Sequence, residues 1–277
     1  MSMSGLIKNL TNKIEKREFL VAAGVDNLED EKKCTQAGSD FILLYPTSRY
    51  LNAVNRFLAG FIALGNTNQM MIKTADNLMP FLKSRELFAG INATDPFIID
   101  SILLKTIKSY RFAGVHNYPT MALIDGEFGA NINASGFGFE KELIFFEKAK
   151  AEGLFTCAMV RNMKQAMQMA KMNVDIIIFY LGFGERAYSG QKDSSSRTKK
   201  DVDSLKRLTA AVRKVNQDTI LLFHSERVSD VEEIRVIARE VPDIDGYYVL
   251  CLGDKGLFEK NLDMVISNIK TIRSGDL

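Results

Sequence analysis

Tryptophan is absent from this 277-residue chain, histidine occurs twice, and proline only five times. Cysteine occurs three times, as Cys34, Cys157 and Cys251, far apart and without a CxxC pair. An odd, scattered set excludes a disulfide framework and a structural zinc site, and reads as reduced thiols in a cytoplasmic protein. Charge of one sign is also missing. Thirty-six basic residues stand against 34 acidic ones, for a net charge of +2. That balance gives no electrostatic footprint for nucleic acid or for an anionic membrane surface. No apolar run approaches the roughly 18 residues of a membrane span, and the residues before Lys8 lack the apolar stretch of a secretory leader.

What is present is an alternation of two periods. Short runs rich in Ile, Val, Leu and Phe occur at Phe19–Ala23, Phe41–Tyr45, Leu87–Ile91, Ala113–His116, Leu154–Val160, Val174–Leu181, Thr219–His224 and Gly246–Cys251. They do not alternate with polar residues, which suits parallel strands covered on both faces. Between them lie stretches of helical spacing: Leu28–Ala37, Gln69–Lys83, Pro96–Arg111, Glu140–Glu152, Arg161–Met172, Lys200–Gln217, Val228–Glu240 and Leu257–Ile272. Asp95-Pro96 and Ser229-Asp230 are start signals, and Gly38 and Gly153 are stop signals. No linker divides the chain. The expectation is an α/β fold, a single (β/α)8 TIM barrel over residues 1–277 with residues 1–16 as a short N-terminal helical extension. A doubly wound sheet needs a nucleotide fingerprint that the chain lacks. Met163, Met167, Met169 and Met172 share one helix and read as core or interface filling.

Barrels of this kind place their chemistry after the C-terminal ends of the strands. Both histidines, His116 and His224, fall at such ends. The stretch from His116 to Gly138 separates strand four from its helix by roughly 20 residues, where a βα connection usually takes about 2–6. It carries Asn117, Thr120, Asp125 and Glu127 and reads as a long functional loop, with a surface turn as the plain alternative. No strand ends in Lys, which argues against Schiff-base chemistry, and strand one lacks the His-x-His of an amidohydrolase metal centre. A Mg²⁺ held by one or two carboxylates remains open, with Asp95 and Asp125 as its ligands. Gly253 and Gly256 after strand eight are weak candidates for an anion-binding turn.

Position and residue type assign candidate roles for an enzyme with an anionic substrate. His116 or His224 would be the acid/base, Asn117 a donor to developing negative charge, and Ser48, Arg49, Thr120 and Gly253 substrate contacts. A flavin-dependent or oxygenase-type barrel binding FMN and a non-catalytic binding or regulatory barrel are the alternatives. A homo-oligomer is expected on general grounds.

Several stretches carry a resemblance. They are Tyr45–Tyr50, Leu58-Ala59-Gly60, Gly65-Asn66-Thr67-Asn68, Ala89–Pro96, Gly114–Thr120, Leu123-Ile124-Asp125-Gly126 and Gly136-Phe137-Gly138. In order and spacing they resemble the phosphoenolpyruvate hydrolase-like family of TIM-barrel enzymes, to which a barrel in a plant virus-resistance protein is related. The resemblance implies a hydrolase or lyase acting on phosphoenolpyruvate or a similar small anionic oxo- or enol-acid. The C-terminal third departs from the family pattern, a His-Met-Gly and Thr-Gly-Gly-type loop after strand six and a Gly-Gly-Pro after the strand-seven His. Here these places read Tyr180-Leu181-Gly182-Phe183-Gly184 and His224-Ser225-Glu226-Arg227. That leaves open a different substrate or a lost activity.

Overall fold

The computed structural model describes residues 3–44, 66–81, 86–182, 194–250 and 262–273. After an N-terminal helix α1 (Met3–Glu15) come β1 (Leu20–Val25), α2 (Leu28–Gln36) and β2 (Phe41–Leu44). Next are α3 (Thr67–Leu78), β3 (Leu87–Gly90), α4 (Asp100–Ser109) and β4 (Gly114–His116). Then follow α5 (Gly126–Ala134), α6 (Phe139–Ala151), β5 (Phe155–Val160), α7 (Met163–Lys171) and β6 (Ile176–Leu181). The chain ends with α8 (Ser194–Arg213), β7 (Ile220–Ser225), α9 (Val231–Glu240), β8 (Gly246–Leu250) and α10 (Leu262–Ile269). The eight strands form one closed barrel in sequence order, all pairs parallel, with β8 returning to β1.

Closure splits each strand by period two. Leu20, Ala22, Phe41, Leu43, Phe88, Cys157, Met159, Ile176, Ile178, Tyr180, Ile220, Leu222 and Tyr248 form one buried cluster, the barrel interior. Their strand neighbours, including Val21, Ile42, Ala89, Val115, Ala158, Ile177, Leu221 and Val249, join the helices in a second, larger cluster. Both faces of every strand are therefore apolar, the reason the runs in the sequence do not alternate with polar residues. Glycine is required at two inward positions. A Cβ on Gly114 would lie 2.3 Å from the Phe155 carbonyl oxygen, and one on Gly246 2.3 Å from that of Leu20. The Phe88 and Leu222 side chains take up the space those glycines leave.

The N-terminal end of the barrel is stoppered by α1, whose Leu6 and Leu10 belong to the interior cluster. Asp40, buried just ahead of β2, fastens this stopper. Its carboxylate accepts from Lys13 Nζ (2.6 Å) on α1, from Lys270 Nζ (2.8 Å) beyond α10, and from the Val21 amide (2.7 Å) on β1. Cys34 and Cys157 are buried and form no disulfide, and Cys251 lies outside the described residues. Among the described residues no helix is long and apolar enough to cross a membrane.

Three boundaries differ from the sequence reading. The segment from His116 to Gly138 is not an open loop, since a 3-10 turn (Met121–Leu123) and the whole of α5 lie within it. Gly126 opens α5 with φ +65°, left-handed backbone that glycine adopts without strain. The helix expected from Pro96 begins at Asp100, because the Asp95 carboxylate caps the Phe97 amide (2.9 Å) in a turn of its own. Conversely α8 starts at Ser194, ahead of the expected Lys200.

Replacing Asp40 with Ala strands two lysines and a buried amide, so a loss of about 3 kcal/mol is expected, read as a lower urea midpoint with unchanged slope. Wild-type stability in the variant would show that α1 is not held by this carboxylate.

Candidate functional site

His116 is the last residue of β4 and shares the inward parity of Gly114. It is completely buried, and its Nδ1 lies 3.0 Å from the Cys157 carbonyl oxygen on the adjacent strand. A carbonyl can only accept, so Nδ1 carries the hydrogen and Nε2 presents its lone pair. Burial pulls the imidazole pKa down from 6.5 to about 4, against the opposing pull of the Cys157 hydrogen bond, so the ring is neutral near pH 7. Among the described residues Nε2 has no hydrogen-bond partner. His224 repeats the arrangement on β7, where its Nδ1 donates to the Tyr248 carbonyl oxygen at 2.9 Å. Tyrosines join the two imidazoles. The Tyr248 ring lies 6.3 Å from that of His116 and 5.7 Å from that of His224. Tyr118 stacks on His116 at 6.1 Å, and Tyr180 lies 4.9 Å from His224. The Tyr180 hydroxyl donates to Glu226 Oε1 at 2.6 Å, and burial, with Glu226 beside it, holds its pKa well above the usual tyrosine value.

Asn117 and Thr120 lie in the buried connection after β4, but their polar atoms are turned to the protein. Asn117 Oδ1 accepts from the Met159 amide (2.6 Å), while Nδ2 donates to the Met159 carbonyl (3.1 Å) and to Glu142 Oε2 (2.6 Å). The side chain thus extends the β4–β5 ladder by one rung. Thr120 Oγ1 donates to Glu142 Oε2 (2.7 Å), and the Met121 amide donates to Glu142 Oε1 (2.5 Å). Glu142, on the buried face of α6, is the centre of this network and was not among the sequence candidates. Burial raises its carboxyl from 4.5 to about 7, outweighing the three donors that favour the anion.

The two aspartates expected to bind a metal are differently occupied. Asp95 is buried, with Oδ2 accepting from Asn66 Nδ2 (2.7 Å) and Asn68 Nδ2 (3.1 Å) and Oδ1 from the Phe97 amide (2.9 Å). Three N–H groups aimed at a carboxylate repel a cation, so this setting does not fit a metal ligand. Asp125 is exposed at the start of α5 and pairs with Arg161 NH1 at 2.6 Å. Among the described residues no group of three or more His, Cys, Asp or Glu side chains converges. Ser48, Arg49 and Gly253 lie outside the described residues.

Beside His224 a cleft of about 320 Å³ opens at the ends of β5, β6 and β7. Its walls carry Arg161, Tyr180, Gly182, Ser204, Arg207 and Arg227. Arg227 is seated by Asp201, a fully buried carboxylate on α8 that also takes the Ser225 hydroxyl. Gly182 has φ +71°, and a Cβ there would come within 2.9 Å of Arg227 Cγ, so glycine is needed for the arginine to pass.

A closed barrel of eight parallel strands, each joined to the next through helices on its outside, is the architecture of a TIM-barrel protein. The pattern of the family described as Phosphoenolpyruvate hydrolase-like matches residues 5–272, and the chain belongs to that family. Two tomato (Solanum lycopersicum) proteins, the ToMV susceptible protein tm-1(GCR26) and the ToMV resistance protein Tm-1(GCR237), are each 27% identical to it over 96% of this chain. The match takes in 35% of each tomato protein, so the chain spans about a third of their length. Among solved structures, the tryptophan synthase alpha subunit of Legionella pneumophila superposes with a TM-score of 0.56 at 11% identity, covering 96% of this chain and 97% of that one. A chain from Aquifex aeolicus superposes with a TM-score of 0.55 at 14% identity, covering 97% and 98%. These likenesses concern the fold alone.

Glu142 has a folded pKa of about 7, above its unfolded value of 4.5. Its contribution to stability is therefore complete below about pH 4.5 and is lost as pH rises through 7. Glu142→Gln removes the titration, so wild type should lose stability relative to the variant between those pH values, at up to about 1.4 kcal/mol per unit. Urea unfolding of both proteins across that range tests this, and a difference that does not vary with pH would contradict it.

Proposed function

We propose that the protein is an enzyme acting on a small anionic oxo- or enol-acid at the C-terminal mouth of the barrel, with phosphoenolpyruvate as the first substrate to try. The observation that carries this reading is the lone-pair nitrogen of His116, wholly buried at a strand end and without a partner among the described residues. A buried acceptor of this kind costs free energy unless something donates to it, and a substrate hydroxyl or a positioned water would do so.

The two histidines have different tasks. His116, neutral and hard to protonate, orients the donor that reaches it. His224 has the same Nδ1 bond and lies beside Tyr180, which lines the cleft, and on this reading it takes and returns a proton. The peptide and side-chain bonds around Asn117, Thr120 and Glu142 keep the His116 strand end fixed against β5. Arginines at the mouth suit an acid substrate. No step is routed through a metal ion, given what surrounds Asp95. A second reading, a barrel that binds a small anion without turning it over, is favoured by relatives whose names speak of virus susceptibility and resistance rather than of a reaction.

The deciding experiment incubates the full chain with phosphoenolpyruvate, with and without Mg²⁺, and follows phosphorus and proton NMR. The enzyme reading predicts release of phosphate and pyruvate, reduced about 10²-fold or more in His224→Gln and little changed in Asp125→Asn. No turnover of phosphoenolpyruvate or of simple oxo-acids by the folded protein would leave the binding reading.

A further inference from the structure

The cleft beside His224 has a charge arrangement that the two histidines do not explain. Three arginines reach it from three separate elements: Arg161 just after β5, Arg207 on α8 and Arg227 just after β7. Two carboxylates stand behind them, Asp125 on Arg161 and Asp201 on Arg227. Arg207 is exposed and makes no ion pair or hydrogen bond among the described residues. Bringing three guanidinium groups to one small space is unfavourable without an anion to share, and the buried Asp201 together with the positive φ of Gly182 holds Arg227 in place there.

The form of the anion follows from geometry. A carboxylate offers two oxygens in one plane, which a single guanidinium fork satisfies. Guanidinium groups arriving from three elements match a group with three oxygens out of one plane. A volume of about 320 Å³ leaves room beyond such a group for a small organic body, at the low end of ligand pockets. We propose that the Arg161–Arg207–Arg227 cleft binds the phosphoryl group of a small ligand whose remaining part extends past Tyr180 toward His224. This deepens the enzyme reading by locating the anionic end of its substrate, and it differs from the position after strand eight to which Gly253 pointed.

The test is binding, not turnover. Isotope-labelled full chain is titrated with inorganic phosphate and, separately, with pyruvate as the carboxylate-only probe, while amide and arginine Nε resonances are followed. Phosphate should shift Arg161, Arg207, Arg227 and Gly182, and its affinity should fall about tenfold in Arg207→Gln, the loss expected for one charge-assisted contact. Asp125→Asn, by freeing Arg161 from its carboxylate, should raise phosphate affinity severalfold. Pyruvate alone should leave these resonances in place. Equal shifts with pyruvate, phosphate shifts located elsewhere, or an affinity unaltered by Arg207→Gln would overturn the proposal, as would weaker binding in Asp125→Asn. Setting the wild-type titration beside the wild-type turnover assay separates the two ideas. Phosphate binding by a wild-type chain with no turnover keeps the cleft and removes the enzyme reading, and turnover without phosphate binding does the reverse.

Discussion

Closing eight parallel strands on themselves forces every second side chain into a space shared by all of them, and the rest of the molecule follows from that constraint. The interior must be filled, so Phe41, Phe88, Ile176, Ile178 and Leu222 meet there while Gly114 and Gly246 give way. The lower end must be shut, and α1 does so with Leu6 and Leu10 under the hold of Asp40. At the upper end the same parity delivers His116, Tyr180, His224 and Tyr248 to one place. No local signal specifies that meeting. Register does, since Tyr180 pairs with His224 and His116 with Cys157.

The strands were legible because both their faces are apolar, and all eight runs in the sequence start within two residues of their strands. Thr219–His224, for example, becomes Ile220–Ser225. What escaped was the interior of 116–138. Glycine and asparagine there carry the marks of a loop, yet nine of those residues are helical, and the buried Gly129 lies where a Cβ would meet the Ile124 carbonyl oxygen at 2.8 Å. Tertiary contact overrode composition.

Glu142 and Asp201 escaped for a different reason, and each had left a trace. In α6 the buried positions are Phe139, Glu142, Phe145, Phe146 and Ala149, one helical stripe with a carboxylate in it. In α8 buried Asp201 stands one turn before Leu205 and belongs to the face that carries Leu208 and Val212. A charge on the apolar stripe of an outer helix is costly unless it is bonded, so its presence signals a buried partner across the interface. Here both partners lie at strand ends. One carboxylate gathers Asn117, Thr120 and the Met121 amide after β4; the other gathers Ser225 and Arg227 after β7.

These two carboxylates give the upper end its division of labour. The one on α6 is wholly buried, and everything bonded to it is turned inward, which holds the β4 side and leaves the Nε2 of His116 as its unbonded acceptor among the described residues. The one on α8 has an arginine for its partner, and that arginine continues into an open cleft. A buried acid that carries a cation to the surface fixes the cation's position without cancelling its reach, because a guanidinium can bond on more than one edge. The mouth is therefore asymmetric: an uncharged acceptor on the β4 side, a cationic wall on the β5–β7 side, and tyrosines between. On the proposed reading, a small ligand with an acid at one end and a hydroxyl or enol at the other would meet that polarity in a single orientation, its acid on the arginines and its hydroxyl toward His116.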